Sequence, residues 1–147
     1  MRTLRLWIGA IVFYYCLIGY ATTPSQELVQ LNQYDTAILG KVASRYELYF
    51  FIRSDCGYCH NLAPELKAFA TQYRFKVVPV TLDGKGLPAY PQPKSNDGIA
   101  EAWDVIGVPA IYAVNPIKHD VYGIAYGMEE IQIIAERLVQ LGKDSGL

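Results

Sequence analysis

Cys56 and Cys59, separated by Gly57 and Tyr58, are the residues in this sequence best suited to chemistry. Two thiols at that spacing can close into a disulfide and reopen through a mixed disulfide with another molecule. A bond between them closes almost no loop and removes little unfolded-state entropy, so stability is a poor reason for the pair. Redox exchange is a better one. The chain holds 147 residues and three cysteines. The third, Cys16, sits in an apolar N-terminal stretch and reads as a small hydrophobe.

The elements that must position the pair follow from the patterning around it. Residues 47–52 form a continuous apolar, aromatic run of strand length, which suits a strand buried on both faces. From residue 56 to 73 the pattern turns helical, with Leu62, Leu66, Phe69 and Tyr73 at spacings of four, three and four. Pro64 inside this helix removes a backbone bond and favours a kink. The cysteines thus fall where a strand ends and a helix begins, the usual place for active sites in α/β sheets. Thiols at helix N-termini have pKa values lowered to roughly 3.5–7.5. Cys56 is expected to be the exposed nucleophile, and Cys59, one turn on, the thiol that attacks a mixed disulfide.

Further elements complete an α/β order. Residues 34–45 are a possible helix, 75–82 a second buried strand, and 84–98 a long surface loop. Asn96 or Asp97 caps a short helix to about residue 105. Strands over 108–114 and 121–125 and an amphipathic helix over 129–141 follow, with Glu129 and Glu130 in its first turn. The expectation is a mixed sheet of four or five strands flanked by helices.

Composition narrows the rest. Thirteen basic and 14 acidic side chains give a net charge of −1, and no basic block offers a footprint for nucleic acid. Hydrophobic residues make up 52% of the chain, too many for a disordered one. Part of that excess lies at the start: Arg2 and Arg5, an uncharged run over 6–20, then small and polar residues. This is the layout of a secretory signal peptide over 1–21, with an uncleaved membrane anchor as the alternative. Without residues 1–21 the chain loses both arginines, leaving 11 basic and 14 acidic groups, a charge of −3. The organisation expected is a segment 1–21, a leader 22–45 with a possible helix, one domain over 46–141, and a tail 142–147. An oxidising compartment suits a chain left with one cysteine pair.

Cys56-Gly57-Tyr58-Cys59, Ala63-Pro64 and Gly107-Val108-Pro109 together resemble the thioredoxin-fold thiol–disulfide oxidoreductases. The resemblance covers about residues 46–141. It implies that Pro109 is cis and faces the cysteines, with Val108 offering its backbone to a substrate strand. Gly57, Tyr58 and His60 would shape and tune the active-site turn. The run Phe50-Phe51-Ile52-Arg53-Ser54-Asp55 leading into the cysteines, with Leu82-Asp83-Gly84 and Gly86-Leu87-Pro88-Ala89-Tyr90-Pro91, is similar to the TrbB/TraF family of type-F conjugative transfer. That resemblance implies a periplasmic thiol–disulfide isomerase of pilus and type IV secretion assembly. Its substrates would be exported proteins with disulfides, a membrane electron donor would keep the pair reduced, and transfer-apparatus proteins are further partners. No cofactor beyond the Cys56–Cys59 disulfide and no metal is implied.

One position departs from the thioredoxin pattern. Six residues before the first cysteine, thioredoxins of the cytoplasmic type carry an acid, and this chain has Phe50. Glu47 replaces it only if it faces the site; otherwise it is an exposed acid of the strand. Four other readings remain open at this point. They are a dithiol oxidase of the same fold, a non-catalytic assembly module, a haem c protein using Cys56, Cys59 and His60, and a zinc site adding His119.

Overall fold

The computed structural model describes residues 29–147. The proposed signal or anchor segment, 1–21, lies outside the described residues. Strand β1 (Glu47–Ile52) is the centre of the sheet, because Leu48, Phe50, Phe51 and Ile52 are all fully buried. Each such side chain stabilises the fold by about 1.5–3 kcal/mol relative to exposure. β2 (Val77–Thr81) runs parallel to β1, with Leu48 opposite Val77 and Ile52 opposite Thr81. On its other side lies β4 (Ala110–Val114), antiparallel, with Glu47 opposite Val114. β5 (Val121–Tyr126) continues antiparallel to β4, and the two-residue β3 (Lys94–Ser95) adds to β2. The order β3-β2-β1-β4-β5 is the five-stranded mixed sheet expected.

Alternation along the strands divides the core in two. Leu48, Phe50 and Ile52, with Ile111 and Ala113, face helices α1 (Gln33–Ala43), α2 (Gly57–Tyr73) and α4 (Ile131–Asp144). Phe51, Ala110, Tyr112 and Val114 face the short α3 (Ile99–Ala102), where the Trp103 ring meets Phe51 edge-on at 5.8 Å. Ile38 and Val42 of α1 lie against Gly142 of α4, where any Cβ would collide with both. Lys143 pairs with Asp35 at 2.9 Å across the same contact.

Several element limits differ from the patterning, each for a physical reason. Val29 is buried and the Gln30 N–H donates to the Gln132 side chain at 3.0 Å, so the end of the polar leader is packed. β2 is half-buried at Val77, Val78 and Pro79, because only a two-residue strand borders its outer side. β3 carries no apolar signal at all. α3 stops at Ala102, and its N-cap is Gly98, neither of the two candidates; Asn96, two residues earlier, still accepts the Ala100 N–H on its Oδ1 at 2.7 Å. β4 starts at Ala110, since Pro109 has no N–H to give to a ladder. Glu130 is the N-cap of α4, so both glutamates precede the helix instead of occupying its first turn. Among the described residues, no helix is long and apolar enough to cross a membrane.

Candidate active site

Cys56 is the N-cap of α2 at the carboxyl end of β1, in extended conformation with φ −87° and ψ 106°. Its Sγ accepts the Cys59 N–H at 3.1 Å, so one of the donors a helix start leaves unpaired points at the sulfur. The two cysteines form a disulfide, with Cα atoms 5.2 Å apart. Their exposures differ: Cys56 is half-buried and Cys59 is 0% exposed, one turn into the helix against Leu62 and Leu66. A molecule approaching from solvent therefore meets Cys56 first. α2 continues past Pro64, which lies on its exposed side, where the missing backbone bond faces solvent.

Of the other residues singled out in the sequence, Gly57, Tyr58, His60, Val108 and Pro109 lie around this point, whereas Glu47 and His119 do not. Gly57 and Tyr58 are exposed, Tyr58 at 60%. Val108–Pro109 is cis, and the Val108 carbonyl oxygen lies 3.8 Å from Cys56 Sγ. The buried Pro109 accepts the Gly127 N–H at 2.7 Å, which ties this loop to the turn between β5 and α4. His60 is exposed, and its Nε2 lies 2.8 Å from the Ser54 carbonyl oxygen. A carbonyl only accepts, so Nε2 carries the proton and donates. The ring thus folds back over the turn that precedes Cys56.

That turn has an anchor that the pattern did not single out. Asp83 Oδ2 accepts both the Ser54 N–H at 2.9 Å and the Ser54 hydroxyl at 2.6 Å, while Oδ1 lies 2.9 Å from Thr81 Oγ1. The end of β2 is thereby tied to the end of β1. The Ser54 hydroxyl, chiefly, holds the Asp83 carboxyl well below the usual carboxylate range. Asp83 appeared in the sequence only within the Leu82-Asp83-Gly84 motif. Its reach to Ser54, 29 positions away, is a product of parallel pairing between β1 and β2. Arg53 and Asp55 also pair at 3.0 Å in the turn, but both are exposed and such pairs contribute little.

Phe50 is fully buried on the α2 side, with the Tyr90 ring edge-on at 5.8 Å. Glu47 stands at the opposite end of β1 and bonds Lys76 at 2.7 Å, so it does not replace the missing acid. The loop of residues 87–91 is more than surface: Leu87 is 1% exposed, and Lys67 of α2 donates to the Ala89 carbonyl at 3.0 Å. His119 lies in the turn after β4, and among the described residues no three His, Cys, Asp or Glu side chains gather as metal ligands.

Comparison with known proteins bears on this arrangement. The sequence model of TraF, the F plasmid transfer operon protein, matches residues 20–139. The chain belongs to the TraF family. The family match begins ahead of the 46–141 stretch that carries the motifs. Protein TraF of Escherichia coli K12 is 26% identical over 125 residues, which cover 85% of this chain and 51% of that protein. Protein TrbB of the same organism is 43% identical over 47 residues, 32% of this chain and 26% of TrbB. This TraF-family chain thus spans about half or less of the length of these relatives. Among solved structures, a Chlorobium tepidum protein described as thiol:disulfide interchange protein DsbE superposes with a TM-score of 0.54 at 20% identity. The match covers 71% of this chain and 84% of that one, and it shows the thioredoxin-like fold.

Proposed function

We propose that this chain is a protein thiol–disulfide oxidoreductase of the isomerase and reductase type, acting in the periplasm on exported proteins of conjugative pilus and secretion assembly. One observation carries the reading. A half-exposed sulfur at a helix N-terminus, receiving a backbone N–H, sits one turn from a fully buried partner sulfur. Family membership and the thioredoxin-like fold support it.

The chemistry follows from the reduced pair. The Cys56 thiolate attacks one sulfur of a substrate disulfide; the substrate S–S bond breaks and the other sulfur leaves as a thiolate. The Cys59 N–H and the helix start favour the negative charge on Cys56 before attack. The mixed disulfide then has two exits. In isomerisation another substrate thiolate attacks the bound sulfur and Cys56 leaves reduced. In reduction Cys59 loses its proton, attacks Cys56 Sγ, and the substrate departs as a dithiol while Cys56–Cys59 closes. The second exit consumes two electrons, so a membrane electron donor returns the pair to the dithiol. Val108 and cis-Pro109 would receive the substrate backbone, with Tyr58 beside it.

The test is refolding of a scrambled multi-disulfide protein by the full chain and by Cys56→Ser. Isomerisation by the parent and loss in the variant is the expected result. Equal refolding by both would overturn the enzyme reading in favour of an assembly module. A reduction potential near about −120 mV against glutathione would instead make the chain an oxidant.

A further inference from the structure

The two exits of the mixed disulfide differ in what they ask of Cys59. In isomerisation a second substrate thiolate attacks the bound substrate sulfur and Cys56 leaves as the thiolate, so Cys59 stays a thiol throughout. In reduction Cys59 must first give up its proton, because the thiolate is the nucleophile. The fate of that proton decides between them.

The surroundings of Cys59 take no proton. Its side chain is 0% exposed, in the cluster that also holds Phe50, Ile52, Leu62 and Leu66. Burial among such groups disfavours a thiolate. Among the described residues no Asp, Glu, His, Lys or Arg is buried; the buried polar side chains are Thr81 and Asn115, neither of them a base. The carboxylates of the active-site turn are engaged elsewhere. Asp55 pairs with Arg53 in solvent, and Asp83 accepts Ser54 and Thr81. His60 follows Cys59 directly, but adjacent helix residues do not face each other, and its ring turns to the Ser54 carbonyl.

One titratable group does pack against this cluster, and it is of the wrong kind. The Tyr90 ring meets Phe50 edge-on at 5.8 Å, and its hydroxyl is buried with no hydrogen-bond partner among the described residues. Burial pushes the phenol well above its usual range, so it already holds its proton. The loop that carries it is tightly closed. Leu87 and Tyr90 exchange backbone hydrogen bonds at 3.1 and 2.9 Å, and Lys67 of α2 donates to the Ala89 carbonyl. A Cβ at Gly86 would come within 2.7 Å of the Tyr90 and Pro91 carbonyl oxygens. Phe50 and Tyr90 thus plug this side of β1 with two rings and no proton acceptor.

We propose that the Phe50–Tyr90 plug withholds a base from Cys59 and so commits the mixed disulfide to isomerisation, with Phe50 setting the partition between the two exits. This rests on the thiol–disulfide reading of the Cys56–Cys59 pair and specifies its outcome. The substrate leaves mainly through its own thiols. Release by Cys59 waits for hydroxide, which takes the Cys59 proton to form water; the thiolate then bonds Cys56 and the substrate sulfur departs.

The experiment uses the reduced full chain and an aryl disulfide, each half of which leaves as a coloured thiolate. The first release reports attack by Cys56, the second attack by Cys59 on the mixed disulfide. In the parent the second rate is expected to rise about tenfold per pH unit between about pH 6 and 8, following the thiolate fraction of a buried thiol. Phe50→Glu places a carboxylate in the cluster, where burial raises it toward neutral pH. At about pH 7 it is expected to speed the second release at least about tenfold and to flatten its pH profile, a modest share of what a general base supplies. With a scrambled protein it is expected to raise the ratio of reduced to isomerised product. Phe50→Gln has the same shape and takes no proton, so equal acceleration by it overturns the proposal. So does an unchanged second rate in folded Phe50→Glu. If that variant fails to fold, the parent profile carries the test: a second rate that levels off below about pH 7.5 shows an acceptor at Cys59 and overturns the proposal. Absence of the first release refutes the Cys56 reading itself, and the proposal with it.

Discussion

Reducing the disulfide is expected to change the stability of the domain only slightly, in a way that depends on pH. The bond joins residues three apart, and constraining so short a loop destabilises the unfolded chain by about 2 kcal/mol. Opening it forfeits that contribution. The reduced protein gains something in return, because Cys56 Sγ keeps its place over the Cys59 N–H. A hydrogen bond to a charged group contributes about 1.5–3 kcal/mol, and a charge at a helix terminus typically 0.3–1 kcal/mol. Both apply to the thiolate, since the helix start favours the charged sulfur over the neutral thiol. The gain is fully present above about pH 8.5, where the unfolded thiol also ionises, and falls away in more acidic solution. At pH 8.5 the reduced form should therefore unfold in urea with a stability between that of the oxidised form and about 2 kcal/mol above it. At pH 6 the reduced form should trail by up to the full 2 kcal/mol or so of lost constraint. The buried Cys59 thiol, free only in the reduced form, works the other way, but at pH 8.5 it costs that form only about 0.4 kcal/mol, and the titrations of all other groups are common to both forms and cancel. A deficit above about 4 kcal/mol at both pH values would mark the bond as a structural staple and refute the reasoning. So would a difference that does not move with pH.

Three further outcomes follow from named contacts. Asp83→Asn should slow disulfide exchange and narrow the urea-stability gap to the parent in acid. The parent's carboxylate contribution is fully present above the ordinary carboxylate range and is lost progressively as pH falls from that range toward its lower native value, so a constant gap down to pH 2 would contradict this. Gly142→Val should destabilise the oxidised domain by about 1–3 kcal/mol through overpacking against Ile38 and Val42, and an unchanged urea midpoint would count against that helix contact. Tyr112, raised to about 12 first by burial and then by its hydrogen bond with Tyr126, should be a late component of the phenolate absorbance titration, removed by Tyr112→Phe.

Much of the site was legible because its signals are local. The helix start at Cys56 and the buried strand before it are each written within a few neighbouring residues, whereas the cis bond at Pro109 was implied only by the resemblance. What escaped depends on pairing between distant segments. Ser54 and Asp83 meet only because β1 and β2 run parallel, and β3 exists only because β2 offers it an edge. Tyr90 and Leu87 looked like loop residues, yet Leu87 is buried and the Tyr90 ring covers Phe50 from 40 positions away.

The central claim is that Cys56 bonds exported proteins and Cys59 releases them. Cys59→Ala expressed in the native envelope, with thiols alkylated on lysis, tests it directly. The account predicts mixed disulfides between Cys56 and exported cysteine-containing proteins, reversed by reductant and absent when Cys56 is also replaced by alanine. Finding no such adducts, or finding them undiminished without Cys56, would contradict it.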